Sequence, residues 1–194
     1  MKLIGISALL VAVASGIAIA KSDDDDIVKA KARITSCADG SFVGTAVLVE
    51  RPSSEGVKVV DVFVRAQNLP PGKHAVHIHE VGTCTPCSAA GSHLDLGPFG
   101  HSTPVTENHP YHSGDLVNIE INSRGRGILS TTTSRIALSP DSPGRAPERG
   151  LSIFDANGAS IVIHALPDLY CPKLGDPDCA GGGRAACGVL QRED

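Results

Sequence analysis

At 194 residues and 20.0 kDa, with 17 Lys and Arg against 21 Asp and Glu, the chain has room for one sizeable domain. Its net charge of −4 gives no electrostatic basis for holding nucleic acid. Aromatic residues make up only 3 % and Trp is absent, while 21 Gly and 13 Pro require many turns between short elements, a poor fit to long helical bundles.

Residues 1–20 carry a single charge, Lys2, followed by an apolar run from Leu3 to Ala20. Small residues at Ala18 and Ala20 ahead of Lys21 complete the pattern of a secretory signal peptide. Residues 21–27, with the run Asp23-Asp24-Asp25-Asp26, read as a solvated acidic arm, and 28–194 as the folded domain. Cleavage before Lys21 would leave 16 Lys and Arg against 21 acids, a net charge of −5. No other stretch is apolar for long enough to cross a bilayer. No Asn-x-Ser/Thr sequon is present, so nothing points to N-glycosylation.

From Val28 onward the chain alternates. Ala30, Ala32 and Ile34 share one face, the turn Ala38-Asp39-Gly40 follows, and Phe42 to Val49 runs back as the second half of a hairpin. Val57 to Val64 is a third strand, and the Pro70-Pro71-Gly72 turn leads into a fourth over His74 to Glu80. Leu116 to Ile121, Ile128 to Leu138 and Ser160 to His164 supply later strands, separated by loops rich in Gly, Pro and Ser. With no helical periodicity after the leader, the expectation is an all-β antiparallel sandwich or barrel of about seven or eight strands. Two long loops interrupt the rhythm, Val81 to about Gly114 and Ala165 to about Gly183. Structureless loops of that length inside a compact domain usually carry function. Residues 139–150, with three Pro and two Gly, read as a surface insertion.

Seven of the eight histidines fall between residues 74 and 112, and the eighth, His164, closes a late apolar strand. His77 and His79 stand two apart on a strand, so their side chains point the same way and can share one metal. The first long loop adds His93, His101, His109, His112 and Asp115, enough donors for a second ion. Three His and one carboxylate make a closed tetrahedral zinc set, and all-imidazole ligation suits Cu(II). His74, three residues before His77, lies on the opposite face of the strand, and His109 lacks the His-x-x-Asp spacing that His112 makes with Asp115. Tyr111, Phe63 and Phe42 read as packing residues.

These residues carry a resemblance. The stretches Gly72 to Glu80, Cys87 to His93, His101, His112 to Leu116, Val162-Ile163-His164 with Asp168, and Gly183 to Val189 occur in the order in which they occur in the secreted copper/zinc superoxide dismutases. From about Lys29 to Leu190 the chain resembles that family. The resemblance implies an eight-stranded Greek-key antiparallel β-barrel, immunoglobulin-like in its sandwich architecture, with both metals outside the barrel under the two long loops. It implies copper on His77, His79, His93 and His164, and zinc on His93, His101, His112 and Asp115, with His93 bridging the ions. It makes Asp168 a carboxylate that hydrogen-bonds a ligand on each side, His77 and His101, fixing their tautomers. It also makes Arg184 the cation beside copper. A guanidinium there suits a small anion drawn toward a protein of negative net charge. His74 takes the place of a structural histidine.

The six cysteines are an even set, fit for a disulfide framework in an oxidising compartment. The resemblance pairs Cys87 with Cys187, tying the metal loop to the last strand. Cys37, Cys84, Cys171 and Cys179 allow three pairings among themselves; if Cys171 meets Cys179, then Cys37 meets Cys84 or both stay free. The segment Cys171 to Cys179 departs from the family, since Lys173 is its only cation, and this puts substrate steering in question. The charged tail Gln191 to Asp194 and the position of Cys84 leave a homodimer open. The implied function is extracellular dismutation of two superoxide anions and two protons to dioxygen and hydrogen peroxide by Cu(II)/Cu(I) cycling. His93 and Arg184 would be its catalytic side chains and superoxide its partner. The rival is a non-catalytic copper/zinc-binding domain of the same fold, a carrier or sequestering module. A zinc hydrolase fits less well, because four protein ligands would leave no open zinc position.

Overall fold

A computed structural model describes residues 27–55, 57–96, 112–139, 152–170 and 179–193. The expected signal peptide, nearly all of the acidic arm, and His101, His109, Tyr111 and Cys171 lie outside these residues. The described chain contains ten strand segments: β1 Val28–Ser36, β2 Phe42–Pro52, β3 Lys58–Ala66, β4 Gly72–His74, β5 Val76–His79, β6 Ile119–Ile121, β7 Gly127–Thr133, β8 Ser160–His164, β9 Arg184–Val189 and β10 Gln191–Glu193. The helical structure among the described residues is a single 3₁₀ turn, Cys87–Ala90.

The strands pair in the order β4-β6-β7-β3-β2-β1-β9-β8-β5, with β10 on β1. The two ends of this path, β4 and β5, are separated only by Ala75. One length of chain from Gly72 to His79 therefore serves both ends, and the sheet closes on itself into an antiparallel barrel. Counting β4 with β5 and β9 with β10 as single interrupted strands gives the eight expected. The neighbours β3–β7, β5–β8 and β1–β9 are non-sequential pairings, as a Greek key requires.

Alternation does the folding. In β1 the buried residues are Ala30, Ala32 and Ile34, as their spacing predicts, and β2 answers with Val43, Ala46 and Leu48. Ile78, Ile119, Ile161 and Ile163 complete the interior. The hairpin between β1 and β2 turns at Gly40, whose φ of 73° suits glycine, and Asp39 closes the turn through Ser41 N–H. Two expected strands are shorter than their apolar runs. Strand β7 stops at Thr133 rather than Leu138. Strand β6 begins at Ile119 rather than Leu116, because Asp115 and Leu116 lie beside β5 instead, with Leu116 N–H donating to Val76 O.

One face of β5 determines where function can sit. Val76 and Ile78 point into the barrel core, so His77 and His79 point outward, yet every residue of β5 is buried. Both long loops are pinned over this face. From the first, Leu94 N–H donates to Ile78 O, and Ile78 N–H donates to Gly114 O. From the second, Leu166 N–H donates to Gly181 O and Ala165 N–H to Gly183 O, while Leu166 O accepts from Ala75 N–H.

Candidate metal centre

The closed barrel and its pinned loops bring two sets of donors together. The ligating atoms of His77, His79, His93 and His164 lie within 4.8 Å of one another, and so do those of His93, His112 and Asp115. His93 belongs to both sets. Its ring sits 4.0 Å from that of His77 and 5.3 Å from that of His112, centroid to centroid.

Each ring is oriented by its other nitrogen. His79 Nδ1–H donates to Gly91 O at 3.0 Å, and His164 Nδ1–H donates to Gly182 O at 3.0 Å. Both Nε2 atoms therefore carry lone pairs, and they face each other at 3.4 Å. Burial is the main reason that both rings stay neutral. It pushes His79 down to about 2 and His164 down to about 4, and the Arg184 charge adds to both shifts. Two lone pairs aimed at one another with no proton between them are a poor arrangement unless a cation lies between them. His77 makes the same point from another side: Nε2–H donates to Asp168 at 3.0 Å, and its buried Nδ1 has no hydrogen-bond partner. An orphaned buried acceptor and two opposed lone pairs fit a metal that prefers imidazole nitrogen.

In the second set, Asp115 stands between two rings. His93 Nδ1–H lies 2.8 Å from one carboxylate oxygen, and His112 Nδ1 lies 3.3 Å from the other. Burial works against the ionised carboxylate, but hydrogen bonds from His112 and His93 prevail and hold its pKa well below the usual carboxylate range. The same bond to Asp115 raises His112, whereas burial lowers His93. The His93, His112 and Asp115 donors thus lie close enough together to share one divalent ion. With Nδ1 on this side, His93 has Nε2 left for the other set.

Local sequence explains how the donors reach these places. Gly114 passes so close to β5 that an added Cβ would stand 2.4 Å from Ile78 O; any side chain would push Asp115 away. Gly181, at a φ of 91°, lies against Ala75 and His164 with no room for a Cβ, which lets the second loop cross His164 and present Gly182 O to it. His74 does stand apart, as its parity predicts, and bonds His164 O and Pro70 O at 2.7 and 2.9 Å.

Arg184, at the start of β9 and opposite His164, is half-buried. Its Nη1 donates to Cys87 O at 2.5 Å and its Nη2 to Gly91 O. It thus caps two carbonyls of the first loop, one of which also orients His79, and keeps further N–H donors for another partner. Asp168 meets His77, while the other expected partner, His101, lies outside the described residues.

The cysteine pairing corrects one expectation. Cys87 is bonded to Cys37 and Cys187 to Cys84, with Cα atoms 5.7 Å apart in each case; the expected Cys87–Cys187 bridge is not formed. All four cysteines gather around Ala90 and Val162, and the course of the loop sorts them. The loop reaches β9 first at Cys84. The 3₁₀ turn then carries Cys87 toward the end of β1, where Cys37 N–H is bonded to Ala185 O. Cys37 and Cys84 are therefore neither bonded to each other nor free. Cys179 is also disulfide-bonded.

Two positioning groups carried no sequence signal. Asn118 exchanges hydrogen bonds with the Asp168 backbone, Nδ2–H to O at 2.9 Å and Oδ1 from N–H at 2.8 Å. Arg135 donates to the carbonyl oxygens of His112 and Asp115.

Comparison with known proteins agrees with this geometry. The family model described as copper/zinc superoxide dismutase matches residues 42–190. A superoxide dismutase [Cu-Zn] of Deinococcus radiodurans is 34 % identical over 163 residues, covering 78 % of this chain and 79 % of the relative. One from Caulobacter vibrioides is 31 % identical, covering 81 % and 83 %. Among solved structures, a double mutant of a SOD-like protein from Bacillus subtilis is 26 % identical with a TM-score of 0.59, covering 82 % of this chain and 95 % of that one.

Proposed function

The chain belongs to the copper/zinc superoxide dismutase family, a family of copper- and zinc-dependent oxidoreductases, and from that premise we propose that it converts two superoxide anions and two protons into dioxygen and hydrogen peroxide outside the reducing cytosol. The observation that carries this reading is the sharing of His93 between a four-histidine set and a His/Asp set.

His77, His79, His93 and His164 would hold copper, and His93, His112 and Asp115, joined by His101, would hold zinc. Copper bound there supplies a one-electron cycle between Cu(II) and Cu(I), and zinc a fixed charge beside it. The chain's own residues account for the rest. Asp168 and the Gly91 and Gly182 carbonyls keep His77, His79 and His164 in the tautomers that leave one nitrogen free to ligate. His93, bonded at Nδ1 to the zinc side, has Nε2 available to ligate or to hold a proton. Arg184 stays charged beside His79 and His164, where it can draw in a small anion and orient it through donors not taken by the Cys87 and Gly91 carbonyls.

Disulfides support an oxidising compartment, and the leader-like residues 1–20 support secretion. Among the described residues no helix is long and apolar enough to cross a membrane.

The test is superoxide consumption by the copper- and zinc-loaded protein beside its Arg184→Ala variant. The wild type should be active, and the variant should lose about tenfold or more, with a weaker dependence on ionic strength, because a local field in an otherwise anionic protein is worth roughly that much in encounter rate. Full metal loading without activity in the wild type would favour the non-catalytic module. Equal activity in the two proteins would remove Arg184 from the mechanism.

A further inference from the structure

We propose that Arg135 is a positioning residue for the zinc set: its guanidinium, reaching across from just beyond β7, fixes the turn that carries His112 and Asp115. The inference rests on the metal assignment above and extends it to a side chain that touches neither ion.

The turn from His112 to Asp115 is closed by its own bonds. Asp115 N–H donates to His112 O at 3.2 Å, and His112 N–H donates to the Asp115 carboxylate at 2.8 Å. Its middle is held by β5 and by the first loop: Gly114 O accepts from Ile78 N–H, Gly114 N–H donates to Leu94 O, and Ser113 Oγ accepts from Leu96 N–H at 2.9 Å. Among these bonds His112 O accepts only from Asp115 N–H, and none reaches Asp115 O. Arg135 holds both carbonyls at once, with Nη1 on His112 O at 3.1 Å and Nη2 on Asp115 O.

A planar fork suits the task. Two N–H groups in fixed relative geometry span two carbonyl oxygens and so set the relation between the two peptide groups, which a single ammonium does not. The arm is itself anchored, because Arg135 N–H bonds Thr133 Oγ1 at 3.2 Å and the next residue, Ile136, is fully buried. The Arg135 side chain is largely exposed, so its removal opens no cavity in the core. A tetrahedral ion tolerates little error in ligand placement. Loss of an outer contact that orients ligands typically weakens metal binding by about 10–100-fold.

The experiment loads the full chain with Cu(II) and with Co(II) in the place of zinc, then challenges it with a graded chelator while the visible Co(II) bands and bound copper are followed. Arg135→Met should release Co(II) at about tenfold lower chelator concentration or less, with shifted bands. Arg135→Lys should recover part of the affinity, and copper retention should stay close to wild type in both. Arg135→Met and wild-type proteins with the same Co(II) retention and bands would overturn the inference. So would a parallel loss of Co(II), copper and far-ultraviolet circular dichroism in Arg135→Met without recovery in Arg135→Lys, since Arg135 would then serve the fold as a whole. A wild type that holds no Co(II) would overturn the metal assignment itself, a failure separate from that of Arg135.

Discussion

Glu50 allows a sharp test of how the barrel supports its loops. It occupies an inward position of β2, in step with Ala46 and Leu48, and is 1 % exposed. One carboxylate oxygen accepts from Leu138 N–H at 2.5 Å and Ser139 N–H at 3.0 Å, and the other lies 3.0 Å from Lys58 Nζ. Burial alone would favour the protonated acid. The bonds to Ser139 and Leu138 and the Lys58 ammonium outweigh it, and the pKa falls from 4.5 to about 2. A shift of that size corresponds to about 3 kcal/mol of folding free energy. Because the folded pKa is the lower one, this contribution is complete above about pH 4.5 and fades as pH falls toward 2. Glu50→Gln should therefore cost about 2–3 kcal/mol at pH 7, the amide retaining one acceptor but facing donors with its NH₂ group. Denaturant unfolding of both proteins with disulfides intact, from pH 7 down to pH 2, gives the difference directly and cancels the other carboxylates. A gap below about 1 kcal/mol at neutral pH, or one that stays constant down to pH 2, would refute the reasoning.

Two further outcomes follow from the site. His93→Ala should lower copper and zinc together in elemental analysis, since His93 belongs to both donor sets; a variant with normal content of both metals would contradict the shared ligand. Cys37→Ser with Cys87→Ser should lower stability by about 2–4 kcal/mol and reduce activity more than metal content, because Cys87 O is one of the two carbonyls that hold Arg184. An unchanged activity per bound copper would show that Arg184 does not depend on that bridge.

Much of this was legible in the sequence because it rests on short-range periodicity. The two-residue spacing of His77 and His79 fixes a common face whatever the tertiary structure, and Ala30, Ala32 and Ile34 declare their buried side in the same way. The cysteine pairing was not legible, because Cys84 and Cys87 come from one loop and both can reach the cluster around Val162. Only the path of that loop assigns one to β9 and the other to β1. Arg135 and Asn118 act through backbone carbonyls and amides, which bear no residue identity, so no motif marks them. Glu50 was just out of reach of sequence reasoning. The strand expected over Phe42 to Val49 stops one residue short of it; β2 runs on to Pro52, which puts Glu50 on the face of Ala46 and Leu48, and a buried acid must have partners.

The arrangement also explains why the donors sit on the outside of the barrel. A metal set inside would replace core residues such as Ile78 and Ile161, and would leave its ring nitrogens among apolar neighbours with nothing to orient them. Outside, strand β5 supplies two rings at fixed spacing, β8 a third, and the covering loops supply the carbonyls and carboxylate that select each tautomer. The loops gain their rigidity from the barrel through Gly114 on Ile78, Gly181 beside His164, and two arginines gripping loop carbonyls from β9 and from just beyond β7. Precision is thus borrowed from the strands, while access for a small anion is left to the loops. It follows that substitutions that loosen a loop should change metal retention or anion capture well before they unfold the barrel, whose core has no need of the ions.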